Sequence, residues 1–75
     1  METGTIRWFD HRKNNFGFAV PDHAGEEIFI HGNIVPAAIL PDLREGVRIR
    51  YRVELDRKGR PRASYVELAE PFATV

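Results

Sequence analysis

Two short segments carry ring side chains at alternating positions. In Phe16-Gly17-Phe18 the period-two geometry of a strand sends both phenyl rings to one face, with Gly17 and Ala19 turned to the other. In Ile28-Phe29-Ile30-His31 the same rule sends Ile28 and Ile30 one way and Phe29 and His31 the other. The aliphatic pair is the natural core pair, which leaves Phe29 and His31 facing outward. If the two strands are antiparallel neighbours, Phe16, Phe18, Phe29 and His31 share one outer patch. Each phenylalanine left in solvent forgoes about 1.5–3 kcal/mol of burial, and stacking on unpaired nucleobases, at roughly 1–3 kcal/mol per base, would offset that loss. A structural reading stands beside this one, because a Phe-Gly-Phe strand can equally serve a core. Periodicity alone leaves both open.

Other chemistry finds little support. His11, His23 and His31 lack both metal-ligand spacing and a cysteine partner, so neither a metal site nor a cofactor is expected. No nucleophile and orienting carboxylate can be assigned around His31, and no glycine-rich phosphate loop is present. Catalytic residues and a small-molecule substrate are therefore not expected, and an enzyme is the poorest reading. Arg48, Arg50 and Arg52 form a basic stripe on one strand face, which reads either as a solvated face or as a further nucleic-acid contact.

The charge balance is awkward for a nucleic-acid binder. Eleven basic residues meet eleven acidic ones, for a formal net charge of zero. Their distribution is uneven: Arg7, Arg12 and Lys13 lie near the start, residues 47–75 carry seven basic against four acidic groups, and residues 21–46 hold Asp22, Glu26, Glu27, Asp42 and Glu45 against Arg44 alone. A phosphate-facing surface would come from the two ends of the chain, with stacking supplying more of the affinity than long-range attraction.

The elements that must position these residues are short. Seventy-five residues suffice for one domain with one modest core, and without cysteine the fold rests on packing alone. No segment sustains a helical period, whereas runs rich in β-branched and aromatic residues alternate with turn residues. Strands are expected over Gly4 to Phe9, Phe16 to Val20, Glu27 to His31, Val47 to Glu54 and Arg62 to Leu68. Asp10 to Asn15 reads as a polar turn whose asparagines tolerate left-handed backbone, and Gly32 to Gly46 as a loop. An open five-stranded sheet would expose two edges. An all-β, small five-stranded antiparallel OB-type β-barrel is the expected fold.

In order and approximate spacing, Gly4-Thr5-Ile6-Arg7-Trp8-Phe9-Asp10, Phe16-Gly17-Phe18, Ile28-Phe29-Ile30-His31, Leu43-Arg44-Glu45-Gly46 and the late Ala63 and Val66 resemble the bacterial cold shock proteins over nearly the whole chain. The two ring segments correspond to that family's first and second ribonucleoprotein motifs. The resemblance implies a barrel whose outer face on the first three strands stacks unpaired bases of RNA or DNA, pyrimidine-rich by expectation, with little sequence demand. It implies that Arg7 and Lys13 contact phosphates or base edges, that Trp8, Phe16, Phe18, Phe29 and His31 stack, and that Phe9 joins or supports them. Strict alternation would pair Trp8 with the core residue Ile6, so an outward Trp8 requires a bulge.

Four positions depart from the family pattern: Asp10 replaces the usual asparagine, the Lys13-Asn14-Asn15-Phe16 turn is one residue longer than usual, and Gly32 and Leu40 stand where aromatics are usual. A smaller platform is expected. Residues 1–70 are expected to form the binding domain and 71–75 a short tail, in a cytoplasmic chain with neither signal peptide nor membrane span. The alternative class is a small β-barrel protein-protein interaction module using the same rings.

Overall fold

In the computed structural model, which describes residues 1–12 and 15–69, five strands close into one barrel. They are β1 (Glu2–Asp10), β2 (Phe16–Pro21), β3 (Ile28–His31), β4 (Arg48–Leu55) and β5 (Pro61–Leu68). Around the barrel the order is β1-β2-β3-β5-β4. The first three strands form an antiparallel meander, β4 pairs antiparallel with both β1 and β5, and a parallel pairing of Phe29 with Arg62 joins β3 to β5. The chain has the all-β, five-stranded, OB-type architecture that its patterning predicts.

Alternation decides which side chains go inside. On β4, Ile49 and Tyr51 are fully buried while Arg48, Arg50 and Arg52 point outward. Ile6, Ala19, Ile28, Ile30, Ala63 and Val66 complete the strand contribution to the core. β1 starts earlier than the pattern suggests, because Glu2 and Thr3 pair with Tyr51 and Arg50. The Gly32 to Gly46 loop contains two 3₁₀ turns, Gly32–Ile34 and Leu40–Asp42, and adds Val35 and Leu43 to the buried core. Tyr51 is the least comfortable core residue, since its buried hydroxyl finds no hydrogen-bond partner among the described residues. Burial, with the Glu2 and Asp22 carboxylates nearby, pushes its phenol above the usual value.

The arginine stripe is largely neutralised within the fold. Arg48 grips Asp22 through two hydrogen bonds of 2.6 and 2.8 Å and also donates to the Thr5 hydroxyl at 3.1 Å. Arg50 donates to Glu67 at 2.7 Å. These contacts tie β4 to the β2–β3 turn and to β5, which supports the solvated-face reading for Arg48 and Arg50.

Candidate nucleic-acid interface

The outer face of β1, β2 and β3 is built by register. Trp8 pairs with Phe18 and Phe18 with Phe29, making one row across the three strands, while Asp10, Phe16 and His31 make the next. Trp8 reaches this face through the bulge that its position demands. Ile6 pairs with Ala19 and Trp8 with Phe18, so Arg7 is the extra residue, and both Arg7 and Trp8 face solvent. Gly17 accommodates the bulge: a Cβ there would lie 2.2 Å from the Trp8 carbonyl oxygen and 2.7 Å from the Phe9 Cα.

Five rings form one continuous cluster. Centroid separations are 5.3 Å for Trp8 and Phe16, 6.3 Å for Trp8 and Phe18, 5.6 Å for Phe18 and Phe29, 5.7 Å for Phe16 and Phe29, and 6.3 Å for Phe29 and His31. Most pairs are edge-on or tilted, the geometry favoured by ring quadrupoles, so the rings brace one another and leave part of each surface open. Trp8 is 47% exposed, His31 is exposed, and Phe16, Phe18 and Phe29 are half-buried. His31 Nδ1 accepts the Asn33 backbone N–H at 3.2 Å, which fixes the ring and, in its neutral form, places the proton on Nε2. Phe9 packs against the core, with its ring 4.7 Å from His11. His11 in turn donates from Nε2 to the Leu43 carbonyl at 2.7 Å.

Lys13 lies outside the described residues. Arg7 sits at the rim of the ring cluster, but its guanidinium is ion-paired with Glu27, so its charge is already compensated. The Asp10 carboxylate accepts the Arg12 backbone N–H at 2.8 Å and so shapes the turn.

The two departures at missing ring positions also have physical reasons. Gly32 is buried, and its N–H donates to the Asn15 carbonyl at 2.7 Å. A Cβ on Gly32 would lie 2.2 Å from Asn15 Nδ2 and 2.8 Å from the Asn15 carbonyl oxygen. Asn15 itself adopts left-handed backbone, with φ of 56°. The end of the lengthened turn therefore fills the space beside residue 32. Leu40 packs against the core instead of joining the platform.

One flank of the interface is not evident from periodicity. A cleft of about 340 Å³ beside the rings is lined by Phe18, Phe29, Glu26, Glu27, Asp56, Arg60 and Pro61. It exists because β3 runs alongside β5, which brings the β4–β5 turn against the platform. The Asp56 carboxylate accepts the backbone N–H groups of Lys58 and Arg60 at 2.8 and 2.9 Å, and these bonds, the Arg60 one foremost, hold its carboxyl below the usual range. Arg57, Lys58 and Arg60 are displayed in solvent, and the Arg60 guanidinium lies 3.9 Å from the Asp56 carboxylate. Their sequence signal is the charge run itself. Its position beside the rings depends on barrel closure.

The fold is a closed five-stranded OB-type barrel with contiguous rings on the outer face of its first three strands. The family model for the 'Cold-shock' DNA-binding domain matches residues 2–69. A probable cold shock protein of Sinorhizobium fredii is 41% identical over 58 residues, 77% of this chain and 83% of the relative. Cold shock protein CspV of Vibrio cholerae is 39% identical over 64 residues, 85% of this chain and 89% of that protein. The chain belongs to the cold-shock domain family, and thereby to the nucleic-acid-binding domains. Cold shock domain-containing protein 4 of Arabidopsis thaliana, 34% identical over 68 residues, is matched over only 32% of its length.

Proposed function

We propose that this chain binds single-stranded RNA or DNA by stacking unpaired bases on Trp8, Phe16, Phe18, Phe29 and His31, with little demand on sequence beyond a pyrimidine-rich preference. The continuous ring cluster on the outer face of β1–β3 carries this reading. Phe9 supports the cluster from beneath. Arg7 and Lys13 serve as phosphate or base-edge contacts, and Arg7 must exchange its Glu27 partner for the ligand. Arg57, Lys58 and Arg60 add a cationic flank at the other side. Residues 1–70 act as the binding unit in the cytoplasm, as an RNA chaperone or a regulator of translation or transcription. Transient hairpins are held open because only an unpaired base offers a free face. No helix among the described residues is long and apolar enough to cross a membrane.

Trp8 is the sole tryptophan, so intrinsic fluorescence reports on the platform directly. Titration with an oligo-pyrimidine single strand is expected to quench it, and the matching duplex to leave it unchanged. Equal affinity for duplex and single strand would sink the stacking mode. An indole indifferent to both would favour a protein-interaction module.

A further inference from the structure

A second bulge lies on the strands that do not carry the platform. Arg52 pairs with Tyr65 and Val53 with Ala63, so Ser64 is an extra residue on β5. Strict alternation from buried Ala63 would send Tyr65 into the core. Instead Ser64 and Tyr65 both face solvent, and Val66 takes the buried position. The bulge at Arg7 and Trp8 has the same effect: two consecutive outward residues, one of them aromatic.

The ejected ring is 38% exposed and held in place. The Tyr65 hydroxyl donates to Glu67 Oε1 at 2.8 Å, while Glu67 Oε2 accepts from Arg50 at 2.7 Å. Directly across the ladder stands Arg52, exposed and without an ion pair among the described residues, although Arg48 and Arg50 on the same strand face both have carboxylate partners. Met1, Arg52, Ser64 and Tyr65 line an open cleft of about 330 Å³. A fixed ring, an uncompensated guanidinium beside it and a hydroxyl match the parts of a nucleotide: a planar base, an anionic phosphate and a polar sugar. An acidic peptide would engage the arginine and leave the ring unused.

We infer that the β4–β5 face around Tyr65 and Arg52 is a second, weaker stacking site for single-stranded RNA or DNA, separate from the β1–β3 platform. The inference extends the proposed binding of single strands. With stacking surfaces on different strands of one barrel, a single domain holds two strand segments at once.

The test is an amide-resolved NMR titration of the full chain with a tetrathymidine oligonucleotide, run in parallel with Trp8 fluorescence. The first resonances to shift are expected on β1–β3. At roughly tenfold or greater oligonucleotide concentration, a second set is expected at Arg52, Ser64 and Tyr65, consistent with a single stacked base. Tyr65→Ala and Arg52→Gln should each abolish the second set, with the midpoint of Trp8 quenching unchanged within about twofold. Arg52→Gln keeps the aliphatic stem and serves as the control if Tyr65→Ala melts early. Shifts confined to β1–β3 at a hundredfold excess, or a second set that survives both substitutions, would overturn the inference while leaving the platform intact. Shifts at Tyr65 with no quenching of Trp8 would instead refute the platform and leave the β4–β5 site standing.

Discussion

Phe18 occupies the middle of the platform, paired in register with Trp8 on one side and Phe29 on the other. Its ring is half-buried by neighbouring rings, not by the core. Replacing it should therefore separate binding from folding. Phe18→Ala is expected to weaken single-strand binding tenfold or more, since each stacked base is worth roughly 1–3 kcal/mol. Its loss of stability, read from denaturant unfolding, should fall below the roughly 3–5 kcal/mol typical of a fully buried Phe→Ala change. A variant that unfolds outright, or that binds as before, would return Phe16-Gly17-Phe18 to a purely structural role.

At the scale of elements, the β1–β2 turn and the first 3₁₀ turn form one fitted unit. Gly32→Ala should lower the melting temperature by several degrees, because its Cβ meets both the side chain and the backbone oxygen of Asn15 and a backbone atom yields least. An unchanged melting temperature would show that the turn shifts freely. Gly32→Phe, which would restore the family's usual ring, faces the same obstruction more severely and should destabilise the fold before it adds a stacking surface. Much of this architecture was legible in the residues. The apolar-charged alternation of β4 marked its core face and Asn15 marked left-handed backbone, whereas the bulge before Trp8 followed only from the family resemblance, since strict alternation would have turned Trp8 inward with Ile6. Three things were not legible. Val35 and Leu43 are buried from a loop, where burial has no period. The β4–β5 turn meets the platform only through the β3–β5 pairing, a non-local contact without a sequence signature. The carboxylate partners of Arg7, Arg48 and Arg50 lie 17 to 26 residues away along the chain, so no local charge pattern reveals them.

For the whole molecule, many of the balanced charges are paired within the fold. Asp22 is held well below the usual carboxylate range, first by its hydrogen bond with Arg48 and then by the Thr3 hydroxyl; Glu67 is lowered chiefly by its hydrogen bond with Arg50. Both carboxyls bind protons less readily folded than unfolded. Their contribution to stability is full above the unfolded values, about pH 4, and is lost as pH falls through the lowered folded values. Melting temperature should thus decline below about pH 4, and Asp22→Asn should flatten that decline. Because these groups are exposed, the effect should shrink in high salt. The same pairing limits counterion release. With roughly 0.7 counterions per neutralised phosphate, log K against log salt should have a slope between about −1 and −3. Lys58→Ala or Arg60→Ala should each reduce its magnitude by about 0.7 if the β4–β5 turn carries phosphate contacts. A much steeper slope would bring the β4 arginines into the interface.

The parallel pairing of Phe29 with Arg62 has a mechanical meaning. It is the clasp of the barrel, made by the four-residue β3, and it lies beside the platform rather than behind it. Under the proposed binding mode, a nucleic-acid strand laid from the rings around Phe29 to the cations around Arg60 would cross that clasp and hold it shut. Such a ligand would stabilise the closed barrel, because the closed barrel is what it would bind. Occupancy and barrel integrity would then be two readings of one equilibrium, and a short chain without cysteine should melt at a higher temperature when a single strand is bound.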